Sequence, residues 1–172
     1  MKEVKFITCS GDKIINPDSQ YLKSLIRNGG LEYWDAGSGQ AMIEYKDGDK
    51  TSELYLMMSE GYGFYLEHYK DKTYYVTMTN SSFEDVAKVY VGGDPIPVPR
   101  ALFLSIKDTE IQVERFLNTG EVSYDIKWVE KYKTGWNYGE DPNAKEYKGH
   151  ACKSIEDLTK RHSKVKRKWM RE

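Results

Sequence analysis

Cysteine and histidine are scarce in this chain, and their scarcity removes several kinds of chemistry before any fold is considered. The two cysteines, Cys9 and Cys152, lie far apart and form no C-x-x-C, so no disulfide framework is expected, a usage suited to a reducing compartment. The three histidines, His68, His150 and His162, fall on different predicted elements, with no H-x-x-x-H and no His–Cys spacing suited to zinc. No segment approaches the roughly 20 apolar residues of a spanning helix, so no membrane partner is expected. The opening "MKEVKFITCSGDK" has no apolar run and no small-residue cleavage site of a secretory leader; a cytoplasmic location is the expectation. "AGSGQ", Ala36 to Gln40, holds a G-x-G fragment without a third glycine or a following helix, and reads as a hairpin turn or loop. Nothing here calls for a cofactor or a small-molecule ligand.

What remains is a polar, tyrosine-rich chain long enough to bury a core. Its 172 residues fit one domain, with 39% apolar and 31% charged residues and a mean hydropathy of −0.73. The net charge of −1 hides a split. Lys145 to Glu172 holds ten Lys/Arg against four Asp/Glu, or +6, and the remainder holds 16 against 23, or −7. An acidic body with a basic tail bears on partners more than on fold.

"EVKFIT" predicts a first strand. Pro17 to Arg27 predicts a helix, with Asn16 as cap, Pro17 at the first position and Asn28-Gly29-Gly30 as stop. From Leu31 to Val98 the texture turns to strands: "QAMIEYK", "SELYLMMS", "GFYLEHYK", "TYYVTMT" and "VAKVYVG", separated by turn-like "DGDK", "EGYG", "KDK" and "NSSFED". The short spacing favours antiparallel hairpins over crossovers. "GGDPIPVPR" places prolines at 95, 97 and 99, which predicts an extended edge or connector. A second helix is expected over Ile106 to Asn118. Ser105 and Asp108 form a capping-box-like start, Gly120 the stop, and Ile106, Thr109, Val113, Phe116 and Leu117 one face. "DIKWVEKY" predicts a last strand that sets Trp128 under that helix. A turn-rich stretch then leads to a third, basic helix from Ile155, where Ile155, Leu158, His162, Val165 and Trp169 recur at 3–4 spacing. The fold class expected is α+β: an antiparallel, hairpin-rich sheet with two helices packed on it, plus a basic C-terminal helix. Residues 1–140 would be the domain, and 141–172 the linker and tail.

The search for catalytic groups leaves few candidates. His68 lies in an aromatic strand without visible partners, which favours a packed or solvated ring over a catalytic one. Cys9 would need a histidine brought to it by folding. Carboxylates are many, among them Glu44, Asp47, Asp49, Glu53, Glu60, Glu67, Asp71, Glu84 and Asp85. They read as solvated strand and turn residues, as one acidic face for a basic partner, or as a pair for glycosidase-type hydrolysis. The 14 tyrosines serve equally as half-buried sheet residues or as a recognition surface. The tail's Lys160, Arg161, Lys164, Lys166, Arg167 and Lys168 suit nucleic acid, or docking on the acidic body.

The order of these features resembles a known family. A tyrosine-rich sheet leads to "YVGGDPIPVP", then a capped helix ending "ERFLNTGE", then "DIKWVE". This is similar to the immunity protein 1 family of bacterial polymorphic toxin systems, through Gly92, Gly93, Phe116, Thr119, Gly120 and Trp128, over Leu31 to Glu130. The resemblance implies an α+β domain that binds and neutralises a cognate toxin domain in the producing cell, without catalysis. The toxin would be a nucleic-acid deaminase or nuclease, its active site occluded one to one. The residues expected to touch it, from charge and tyrosine density, are Glu60, Tyr62, Tyr65, Glu67 and Asp71. Two other expectations stand beside this one: a nucleic-acid-binding adaptor working through the basic tail, and a carboxylate-dependent hydrolase.

Overall fold

The structure, a computed structural model, describes residues 1–136 and 138. The predicted linker and basic helix of residues 141–172 lie outside the described residues, as does the rest of the segment around them.

The chain opens with β1 (Lys2–Ile7) and a short return strand, β2 (Lys13–Ile15), joined by a turn in which Thr8 Oγ1 accepts from the Asp12 N–H at 3.0 Å. Asn16 has left-handed backbone (φ 48°), and its Oδ1 accepts from the Val4 N–H at 3.0 Å. It therefore locks the end of the β2 hairpin and does not cap the helix. Asp18 stands at the N-cap of α1 (Ser19–Asn28), which buries Leu22 and Ile26. A five-residue helix, α2 (Gly30–Trp34), follows at once and buries Trp34 against Phe64, ring centroids 4.8 Å apart. Sequence reasoning took the glycines as a stop and missed this turn of helix, because five residues carry too little periodicity to register.

Then come β3 (Ala41–Asp47), β4 (Lys50–Ser59), β5 (Gly63–Lys70) and β6 (Thr73–Thr77), a run of antiparallel hairpins as the turn chemistry predicts. Between β5 and β6 the two loop residues, Asp71 and Lys72, both have positive φ, 51° and 62°, the signature of a tight hairpin turn. The strands β7 (Val86–Val91) and β8 (Asp94–Pro99) form a separate two-stranded hairpin. The prolines occupy alternate pairs in β8, where a missing N–H breaks no bond to β7 and blunts the outer edge. A 3-10 turn leads to β9 (Phe103–Leu104), paired with β5, and to α3 (Ile106–Thr119). β10 (Trp128–Glu130) closes the order by pairing with β6.

The large sheet runs β10-β6-β5-β4-β3-β1-β2, all antiparallel, with β9 beside β5. Strand alternation sorts its side chains onto two faces. One carries Phe6, Ile43, Leu54, Leu56, Phe64 and Leu66 against the three helices. The other carries Met57, Tyr65 and Val76 against the β7–β8 hairpin, Leu102, Phe103, Trp136 and Tyr138. Trp136 fixes that cover by donating its Nε1–H to the Pro97 carbonyl at 2.9 Å. Among the described residues no helix is long and apolar enough to cross a membrane.

α3 forms as its sequence dictates. Ser105 Oγ accepts from the Asp108 N–H at 3.1 Å, and Gly120 is left-handed at φ 66°. A Cβ at Gly120 would lie 2.4 Å from the Tyr45 ring, so glycine is required there twice over. Thr109, Val113, Phe116 and Leu117 are buried as expected, but Ile106 is 42% exposed and Glu110 and Gln112 are buried instead. Glu110 accepts from Nε and Nη2 of Arg27 on α1, and Gln112 Oε1 accepts from the Ser123 N–H. Partners on neighbouring elements decided which face turned inward, and apolar periodicity along one helix cannot see them.

Candidate functional site

The five residues chosen from the sequence do not share a surface. Ser59 pairs with Gly63, so Glu60, Gly61 and Tyr62 form the tip of the β4–β5 hairpin, with Glu60 exposed and Tyr62 half-buried. Tyr65 and Glu67 lie along β5 on the face turned away from the helices, 1% and 5% exposed. Asp71 sits in the turn at the opposite end of the same strand. An eight-residue strand separates the two ends by roughly 25 Å.

Tyr65 and Glu67 belong to a buried network. Tyr65 donates its hydroxyl to Glu67 Oε1 at 2.7 Å, and Lys131 Nζ lies 2.8 Å from the same oxygen. The Lys131 ammonium also lies 4.8 Å from the centroid of Tyr138, 5.7 Å from Tyr74 and 5.8 Å from Tyr132. The role here is structural. The pair secures the segment after β10 to the sheet, and burial drives the Tyr65 hydroxyl far above its ordinary pKa, Glu67 adding to the effect. Charge and aromatic density marked these residues, but only the register of β5 against β4 and β6 says which way they point.

The hairpin tip, by contrast, opens onto a groove of about 360 Å³ between α2, the end of β4 and β7. Leu31, Met58, Val86 and Ala87 give it an apolar lining. Tyr62 and Tyr90 contribute rings, and Asp35, Glu60 and Lys88 contribute charge. Tyr62 is fixed on three sides. Its hydroxyl donates to Asp85, its ring packs 5.5 Å from Phe103, and the Arg100 guanidinium lies 5.1 Å from its centroid. Arg100 in turn reaches Asp85 at 3.6 Å. Lys88 Nζ lies 5.6 Å from the Tyr90 ring. Desolvation raises the Asp35 carboxyl above its ordinary pKa, and the charge of Lys88 only partly opposes it. Among the described residues neither Asp35 nor Glu60 is engaged through its carboxylate in a hydrogen bond or ion pair. Asp35 and Tyr90 were not singled out from the sequence. They lie more than fifty residues apart, and no spacing signal could have joined them.

Two other candidates, His68 and Cys9, are buried. His68 is 3% exposed and stacks edge-on between Phe116 at 5.7 Å and Trp128 at 6.0 Å. Burial lowers its pKa to about 4, so it is neutral at physiological pH. Trp128 thus lies on the helix side of the sheet as expected, though half-buried and with the imidazole between it and Phe116. Cys9 is buried, and desolvation pushes its thiol up to about 11, which leaves no thiolate for a dyad at neutral pH. Among the described residues no group of three or more His, Cys, Asp or Glu is placed to hold a metal ion. Compared with protein-family models and with curated proteins, the sequence matches neither.

Proposed function

We propose that this chain is an immunity protein, a stoichiometric inhibitor that binds a toxin domain in the cytoplasm of the producing cell and occludes its active site. The observation that carries the reading is the groove at the β4–β5 tip, where Glu60 and Tyr62 meet Asp35 and Tyr90 over an apolar lining. A cleft that processes nucleic acid is shaped for a polyanion, so an acidic, aromatic surface can fill it much as substrate does. Tyr62 is already held by Asp85, Phe103 and Arg100, so little side-chain entropy remains to be lost on binding. The order of motifs over Leu31–Glu130, read as similar to the immunity protein 1 family, is the sequence expectation from which this proposal starts, and nanomolar protection would correspond to roughly −12 kcal/mol.

The test is co-expression and purification with the toxin domain encoded beside this gene. A one-to-one complex that restores growth, and that is weakened by Glu60→Lys or Asp35→Lys in well-folded protein, supports the reading. Full protection by both variants moves the interface away from the groove. No complex with the neighbouring product overturns the function.

A further inference from the structure

We infer that the groove takes one arginine side chain projecting from the partner, an assignment that rests on the inhibitor reading above. Ligand pockets run to about 300–1,000 Å³, so a groove of about 360 Å³ has room for a side chain or two and not for a folded element. Its lining divides in the way a long basic side chain divides. Leu31, Met58, Val86 and Ala87 suit the methylene stem, and Asp35 and Glu60 suit the charged head. Among the described lining residues two carboxylates stand against one ammonium, that of Lys88, a net −1, so charge favours a cation over an anion.

Arginine fits better than lysine because its planar guanidinium stacks on aromatic faces and can reach two carboxylates at once. The chain already builds that arrangement beside the groove. Arg100 lies over the Tyr62 ring at 5.1 Å and meets Asp85 at 3.6 Å, a cation, a tyrosine and a carboxylate in one cluster. Tyr90 and Asp35, also in the lining, are the same two kinds of partner, and Lys88 Nζ, 5.6 Å from the Tyr90 ring, shows that a cation is accepted there. Desolvation of Asp35 adds to the case, since an arriving guanidinium would compensate a carboxylate that its surroundings hold only in part.

The probe is N-acetyl-arginine methylamide, titrated into isotope-labelled full-length protein by NMR, with the lysine and the neutral citrulline analogues as controls. The expected result is saturable shifts at Tyr62, Ala87 and Tyr90, with citrulline and the Asp35→Asn/Glu60→Gln variant each about tenfold weaker. The second arm measures affinity for the neighbouring toxin domain, where the same variant should lose about tenfold or more with an unchanged melting temperature. Equal binding of arginine and citrulline, or shifts outside the groove, overturns the inference even if the toxin complex forms. Toxin affinity indifferent to the variant also overturns it. Groove shifts driven by salt alone, without probe, would make the chain's own basic residues 160–171 the occupant and overturn the assignment to a partner. If the probe seats as described but no toxin complex forms, the inhibitor reading fails and the arginine pocket stands without it.

Discussion

Glu67 shows how far a single residue's meaning depends on what faces it. In sequence it is one more carboxylate beside tyrosines. In the fold it is an anion paired with the buried Lys131, with Tyr65 on the same oxygen. Glu67→Ala removes the carboxylate oxygen that the Tyr65 hydroxyl and the Lys131 ammonium share, so it should cost about 1–3 kcal/mol in denaturant unfolding. Tyr62, on the groove, should behave oppositely. Tyr62→Ala should speed release of the toxin far more than it lowers the melting temperature. Phe116 is fully buried between Tyr45 and His68, and Phe116→Ala should cost about 3–5 kcal/mol in the same unfolding assay. A Phe116→Ala protein as stable as the parent would mean that α3 does not pack on the sheet as described.

At the scale of elements, α3 is the clearest case of local sequence and tertiary packing agreeing. Ser105→Ala removes the oxygen that accepts from Asp108 and should cost about 1 kcal/mol. Gly120→Ala should cost more, because it both strains the left-handed stop and drives a methyl into Tyr45. Thermal melts of the two variants check the order, and an equal effect would mean that the ring moves aside. The hairpin tip Glu60–Tyr62 is the element on which function is proposed to rest. It is held at its base by the Ser59–Gly63 pairing and at Tyr62 by Asp85. Charge reversal at Glu60 should slow capture of the toxin in a salt-dependent manner, whereas reversal at Asp71, at the far end of β5, should leave capture unchanged. Stopped-flow association at two ionic strengths separates the two.

For the whole molecule, acid is the sensitive direction. Burial lowers the His68 pKa from 6.5 to about 4, so between these values the unfolded chain binds more protons than the folded one. Stability is therefore present above pH 6.5 and is lost as pH falls towards 4, by on the order of 3 kcal/mol in total. Glu121 adds to the loss at lower pH. Its desolvation pushes its pKa up, but hydrogen bonds from Lys50 and Lys70 outweigh this and lower it, so its contribution disappears as acid protonates it. Urea unfolding from pH 7 to pH 4 should show a falling midpoint, and His68→Gln should flatten the upper part of that fall. A parent midpoint constant over the range would place the imidazole in water and contradict its position between Phe116 and Trp128.

The sequence by itself determined the elements whose causes are local. Turn residues and β-branched, aromatic runs delimit β1 and β3 to β7, and Ser105 with Gly120 brackets α3. Steric limits on φ and the orphan N–H groups of a helix start act within a few residues, so a reader of the chain can see them. What the sequence could not determine is which residues meet. Asn16 closed a hairpin because Val4 lay opposite, and Ile106 turned outward while Glu110 turned in to Arg27. Of the five residues chosen for contact, register buried Tyr65 and Glu67 and a strand's length removed Asp71. Glu60 and Tyr62 then met Asp35 and Tyr90, which no spacing had linked to them. A side chain's face in a sheet changes with a shift of one residue in pairing, and pairing is set by the sum of contacts across the sheet. The fold class was therefore legible from local rules, and the candidate site appeared only once the strands were in register.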